Sequence, residues 1–167
     1  AWVQPSTGQS NCDPCPTGKY SETSVACSFC AAGKEFILTT VTCSNCGTGK
    51  YQNQNTAASV VCKFCVKGKE FVSSTAECSG CYDGKYQESN SAASAECKFC
   101  TAGTQFESVT ESCESCDSGK YQESNSATNA KCKFCTANTE FVSATASCVP
   151  CAEGWHQSQN NQPSAKC

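Results

Sequence analysis

The chain of 167 residues has no methionine and no arginine, a single leucine (Leu38), a single isoleucine (Ile37) and a single histidine (His156). Each shortage removes a class of explanation. With so few large aliphatic side chains, an ordinary hydrophobic core is out of reach. No apolar run approaches the ~20 residues of a membrane-spanning helix, so no span is expected in this chain. All 12 basic residues are lysines, interleaved with glutamates in a chain of net charge −3 and pI about 5.2. That leaves no basic face for nucleic acid. No serine–histidine–acid set, phosphate loop or calcium loop occurs, and His156 reads as a variant of the ring position rather than a base. We therefore expect no catalysis and no cofactor. Apolar residues nowhere recur at a 3.6-residue period over a dozen positions, so helix is not expected. The sequence opens on Ala1 and lacks methionine, which points to a processed chain, either after loss of a signal peptide or as part of a longer protein.

What the chain has in abundance is cysteine, 19 in all, a density typical of a disulfide scaffold in an oxidising compartment. Eighteen of them form nine Cys-x-x-Cys pairs, and Cys167 stands alone at the end. The pairs define a repeat of 35 residues, a period to be settled before any other assignment. The expected organisation is a tail at 1–11, a shortened first repeat at 12–42, full repeats at 43–77, 78–112 and 113–147, and a half-repeat cap at 148–167. Every repeat splits into two similar halves. Cys78, Cys81, Gly84 and Tyr86 mark one; Cys97, Cys100, Gly103 and Phe106 mark the other. We call these the Tyr half and the Phe half.

The third residue after the second cysteine of each pair is glycine in eight cases and Asn138 in the ninth. Asparagine is the side chain that best tolerates positive φ, which predicts a left-handed turn there in every half. The rings that follow (Tyr20, Phe36, Tyr51, Phe71, Tyr86, Phe106, Tyr121, Phe141), with Phe29, Phe64, Phe99 and Phe134 inside alternate pairs, are expected to stack into a ladder. Arms such as KEFVSSTAEC (69–78) predict short extended strands. The predicted fold class is small, disulfide-rich and mostly irregular or β: an elongated rod of tandem CxxC repeats with short β-ribbons and little or no helix.

Three chemistries fit Cys-x-x-Cys pairs. In a disulfide ladder the second cysteine of each pair joins the first of the next: Cys15 with Cys27, Cys30 with Cys43, Cys46 with Cys62, Cys65 with Cys78, Cys81 with Cys97, Cys100 with Cys113, Cys116 with Cys132, Cys135 with Cys148 and Cys151 with Cys167. Cys12 is then left unpaired or bonded to another chain. A crossed pattern, with Cys78 to Cys97 and Cys81 to Cys100, is the rival, and sequence alone leaves connectivity open. Zinc sites of four cysteines have similar spacing, but an odd number of pairs weakens that reading. Thiol–disulfide catalysis needs one reactive pair on a βαβ scaffold, not nine alike.

The half-repeats CPTGKYSETSVAC (15–27) and CYDGKYQESNSAASAEC (81–97) resemble the cysteine-rich modules of tumour necrosis factor receptors and ephrin-receptor-like repeats. The uninterrupted Cys-x-x-Cys array is also similar to ciliate surface immobilisation antigens. The receptor resemblance implies an elongated rod with laddered disulfides; the ciliate one implies a surface coat. The expected function is accordingly that of an extracellular structural protein in a coat, matrix or filament, secreted or at the cell surface. The alternative is a receptor or adhesion ectodomain with a protein or glycan ligand. Against a unique binding site, QESNSA recurs unchanged at 87–92 and 122–127. The two tryptophans lie near opposite ends of the sequence, so Trp2 and Val3 at one end and Trp155 and His156 at the other are candidate contacts for head-to-tail self-association. No Asn-x-Ser/Thr sequon occurs, and the Ser/Thr-rich arms are candidates for O-linked glycans.

Overall fold

The structure, a computed structural model, describes residues 2–3, 13–22 and 26–167. Among the described residues there is no helix; every regular element is a strand of two to four residues. Five two-stranded antiparallel ribbons share one place in the repeat: β1 (Trp2–Val3) with β2 (Asp13–Pro14), β3 (Lys34–Ile37) with β4 (Thr42–Asn45), β7 (Lys69–Glu70) with β8 (Ser79–Gly80), β9 (Thr104–Gln105) with β10 (Glu114–Ser115), and β11 (Thr139–Glu140) with β12 (Val149–Pro150). From β3 onward each flanks a Phe-half disulfide. The Tyr halves are closed by β5 (Lys50–Tyr51) against β6 (Lys63–Phe64), or by the single bridges Tyr20↔Ser28, Tyr86↔Lys98 and Tyr121↔Lys133.

Strands this short cannot hold themselves together; an isolated ribbon is marginal in water. Covalent closure takes over. Nine disulfides run in sequence, Cys15–Cys27, Cys30–Cys43, Cys46–Cys62, Cys65–Cys78, Cys81–Cys97, Cys100–Cys113, Cys116–Cys132, Cys135–Cys148 and Cys151–Cys167, each closing a separation of 12, 13 or 16 residues. The pairing is the sequential ladder: Cys78 is bonded to Cys65 and Cys97 to Cys81, which the crossed pattern forbids. A cysteine bonded in a disulfide is not a thiolate ligand. Cys12 lies outside the described residues.

The turn residue of every half has positive φ. The eight glycines lie between 69° and 84° and Asn138 at 63°. This backbone shape is needed because each Cys-x-x-Gly segment reverses direction within one turn. Two of these turns are closed by Lys19 N–H donating to the Pro16 carbonyl and Lys120 N–H to that of Asp117, each at 3.0 Å.

By its contacts the chain divides into two compact units. The first is Ala1–Val66 with Glu70–Ser79 and Asn90–Ala95; the second is Lys67–Lys69 with Gly80–Ser89 and Glu96–Cys167. In the first unit the buried cluster is Tyr51, Cys65, Cys78 and Ala95, with Phe71 and Ala92 packed against it. Tyr51 is 9% exposed and rests on the disulfide of the half that follows it. In the second unit the buried apolar residues are Cys81, Cys100, Cys135, Ala130 and Ala165. The core is thus made of disulfides and alanines, with rings at its margin. Phe71 packs against the cluster that holds Tyr51, and over seven rings the structure sets a lysine. Lys19, Lys50, Lys85 and Lys120 lie over Phe29, Phe64, Phe99 and Phe134, and Lys63, Lys98 and Lys133 over Tyr51, Tyr86 and Tyr121, at 4.3–5.7 Å from the ring centres. Cation–π contacts with exposed ammonium groups each contribute ~0.5–1 kcal/mol.

Candidate functional site

The feature that recurs is the junction at which one half meets the next two. It is built mostly from backbone. In each Phe half the turn residue donates its N–H to a glutamine carbonyl of the next Tyr half: Gly33 to Gln52, Gly68 to Gln87, Gly103 to Gln122 and Asn138 to Gln157, all at 2.7 Å. Three residues on, the ring residue reaches the arm of that Tyr half. Phe36, Phe71, Phe106 and Phe141 donate to the carbonyls of Val60, Ala95, Ala130 and Ala165 at 2.7–2.8 Å. The Tyr half then joins the following Phe half in turn, through Gln52 N–H to the Ser74 carbonyl, Gln87 to Val109 and Gln122 to Ala144, at 2.9–3.0 Å.

The glutamine side chains lock these crossings. Gln87 is 2% exposed. Its amide Nε2 donates to the Lys69 carbonyl at 2.8 Å, and its Oε1 accepts the Ser89 N–H. Gln52, Gln122 and Gln157 repeat the pair of bonds with Lys34 and Gln54, Thr104 and Ser124, and Thr139 and Gln159. An uncharged amide can donate from its nitrogen and accept at its oxygen, two separate atoms, without bringing a charge into the interior. Three residues after the glutamine, Asn55, Asn125 and Asn160 accept the N–H of Ala32, Ala102 and Ala137 at 2.7–2.9 Å. Sequence reasoning missed both side chains, although Gln-x-x-Asn recurs at 52–55, 87–90, 122–125 and 157–160.

Close approach makes up the rest of the junction. A Cβ built on Gly49 would fall on the Ala93 carbonyl, one on Gly84 on the Asn129 nitrogen, and one on Gly119 on the Ser164 nitrogen. Each of these three turns therefore receives the backbone of the next Tyr-half arm. The Phe-half turns meet a methyl: Cβ atoms on Gly33, Gly68 and Gly103 would lie 3.0, 3.1 and 2.9 Å from Cγ2 of Thr75, Thr110 and Thr145.

Surface charge adds little. Lys133 meets Glu123 at 3.1 Å and Lys98 meets Glu88 at 3.4 Å, all largely exposed. A hydrogen bond from its own backbone N–H, then that from Lys133, holds the Glu123 carboxyl below its ordinary range; the bond to Glu123 pushes Lys133 up. The depressed carboxyl contributes stability above its unfolded pKa, lost as pH falls through the folded value. The raised lysine contributes below its unfolded pKa, and loses that as pH rises through the folded value. Solvent screening keeps the pair small, so Lys133→Ala is expected to cost no more than about 0.5 kcal/mol at neutral pH. Denaturant midpoints of the two proteins, compared from acid to alkaline pH, check this.

Of the residues singled out at the ends, the backbone of Trp2 and Val3 pairs within its own chain, Trp2 opposite Pro14 and Val3 opposite Asp13. Trp155 and His156 stand where the other Tyr halves carry Lys and Tyr. Both are exposed, Trp155 at 67%, whereas Tyr51 in the position of His156 is buried. Among the described residues no group of three His, Cys, Asp or Glu is arranged to hold a metal ion, and no helix is long and apolar enough to cross a membrane. No protein-family model matches the chain, and no curated protein is significantly similar to it.

Proposed function

We propose that this chain is an extracellular structural protein, a disulfide-laddered rod that self-associates head to tail in a coat, matrix or filament. The observation that carries the proposal is the sameness of the junctions. The glycine, glutamine and ring residues make the same bonds in successive repeats, so the sequence is spent on building one joint many times. Nine disulfides suit an oxidising environment outside the cell, and the resemblance to receptor cysteine repeats and ciliate surface antigens points the same way. In this reading the repeats neither catalyse a reaction nor hold a cofactor, and the exposed Ser/Thr arms are open to O-linked sugars. The oxidised chain, concentrated from micromolar to millimolar, is expected to form linear species by electron microscopy and sedimentation. A strictly monomeric chain across that range would refute self-association.

One observation favours the alternative of a receptor or adhesion ectodomain. Grooves beside the Tyr-half disulfides recur at two places, lined in one by Gln52, Asn53, Gln54 and Lys63 and in the other by Gln122, Glu123, Ser124 and Lys133. A ligand bound there would gain from repetition along the chain. Binding of an immobilised glycan panel that drops when Lys63 and Lys133 are both changed to Ala is the expected result on that reading.

A further inference from the structure

We propose that Tyr82 is an oxidative cross-linking site, whose phenol couples to the Tyr82 of a second copy of this chain under a peroxidase-type one-electron oxidant. The bond goes beyond the head-to-tail association proposed above and does not depend on it.

Four of the five tyrosines are used by the fold. Tyr20, Tyr51, Tyr86 and Tyr121 hold the ring position of the Tyr half, where each closes its loop through a bridge or a ribbon. All four are buried or half-buried, and Lys63, Lys98 and Lys133 lie over the rings of Tyr51, Tyr86 and Tyr121. Tyr82 is different. It sits inside a turn, directly after Cys81, and is 69% exposed. Its hydroxyl oxygen lies beside Gly80, 3.6 Å from where a Cβ on that glycine would stand.

The turn does not need this ring. Lys85 N–H donates to the Tyr82 carbonyl at 3.1 Å. The same bond is made at 2.9–3.1 Å to the carbonyls of Pro16, Gly47, Asp117 and Ala152, which hold the same place in the other Tyr halves. Proline, glycine, aspartate and alanine serve equally well there, so the phenol adds nothing to closure. The backbone on both sides nevertheless fixes where the ring stands. Cys81 is 8% exposed and bonded to Cys97. Asp83 and Gly84 are both left-handed, at φ 56° and 69°, and of the nine turns only this one adds a second left-handed residue. A non-glycine residue keeps that conformation only where its surroundings enforce it. The ring is therefore held in solvent.

The coupling balances without any group from the protein beyond the two phenols. Each Tyr82 gives one electron and one proton to the oxidant and becomes a phenoxyl radical. The two radicals join at ring carbons next to the hydroxyl, and the hydrogens displaced from those carbons move to the oxygens. One hydrogen peroxide takes up both electrons and both protons and leaves as two waters. A chain that presents one such ring has one coupling point, so the reaction stops at two copies. The carbon–carbon bond also survives reduction, which the nine disulfides do not.

The test exposes the fully oxidised chain, its nine disulfides verified by peptide mapping, to a haem peroxidase and hydrogen peroxide. Reducing electrophoresis is expected to show a covalent dimer and no larger species. Mass spectrometry is expected to find the tryptic peptide 70–85, whose one tyrosine is Tyr82, joined to a second copy of itself with loss of two hydrogens. Tyr82→Phe, with the same disulfide map and denaturant midpoint, is expected to lose the dimer. The reduced and alkylated chain, with every phenol freed, is expected to give a ladder of larger species. Three results would overturn the assignment: a Tyr82→Phe dimer formed as readily as the wild-type one, links in the oxidised chain that map to the other tyrosines, or an oxidised chain that stays single while the alkylated chain cross-links.

Discussion

Replacing Cys100 and Cys113 together by alanine is expected to lower the stability of the surrounding half-repeats by about 3 kcal/mol or more, and full reduction is expected to unfold the chain. The reasoning begins with what else could hold it. The described strands have two to four residues, and the largest fully buried side chains among the described residues are Cys30, Cys65, Cys100 and Cys135. A cross-link closing a loop of some 13 residues removes about 3 kcal/mol of unfolded-state entropy, while an entire domain is ordinarily stable by only about 5–15 kcal/mol. Losing Cys100 also leaves a small cavity, because its side chain is buried inside the repeat. Cys151–Cys167, with both partners half exposed, is the contrasting case. Its removal is expected to cost less and to stay local, since stability in repeat arrays is roughly a sum of neighbour terms. Hydrogen exchange reads the difference. In the Cys100/Cys113 variant the Gly103, Phe106 and Cys116 amides should lose protection while Phe36 and Gly33 keep theirs. Thiol exchange requires access to sulfur, so stepwise reduction should also open Cys151–Cys167 before Cys100–Cys113. A reduced chain that keeps its amide protection would show that the disulfides are incidental.

Much of this arrangement is legible in the sequence because it depends on residues with few alternatives. Eight glycines and one asparagine at a fixed place announce positive φ, and the 35-residue period announces stacked units. Connectivity was harder. Cys-x-x-Cys spacing permits both ladder and crossed bonds, and only the folded path, which brings the Cα atoms of Cys81 and Cys97 to 5.5 Å, separates them. The glutamines were the larger omission. Gln87 looks like one more polar residue in a polar arm, and its burial follows from backbone groups about 20 residues away that need a partner: the Gly68 amide and the Lys69 carbonyl. Composition cannot show such a demand; periodic recurrence of Gln-x-x-Asn could have. The rings are expected to stack, and Phe71 does pack against the Tyr51 cluster. The lysines over Phe29, Phe64, Phe99, Phe134, Tyr51, Tyr86 and Tyr121 come from the far side of the loop, so their contacts are not visible from spacing within an arm.

Gly84→Ala and Gly154→Ala form the sharpest comparison, since the two glycines occupy the same turn and differ only in what lies ahead. Both have left-handed backbone, at φ 69° and 84°. Any L-residue there carries about 1–2 kcal/mol of steric cost, and Gly154→Ala should show that and no more, because no atom lies within 4 Å of the added methyl. At Gly84 the methyl would fall on the Asn129 nitrogen, with Asn129 Cα 2.6 Å away. These are backbone atoms, so no rotamer change relieves the clash. Asn129 itself sits at φ 51°, which leaves the arm little freedom to retreat. Forcing a methyl into such a contact adds about 1–3 kcal/mol, for a total of roughly 2–5 kcal/mol at Gly84. The excess over Gly154→Ala is then a direct measure of how tightly one Tyr half seats on the next. Exchange at Phe106, whose N–H is bonded to the Ala130 carbonyl beside the collision, should accelerate in Gly84→Ala and remain unchanged in Gly154→Ala. Equal costs for the two substitutions would mean that the halves touch without supporting each other, and stability would then reside in each disulfide loop alone.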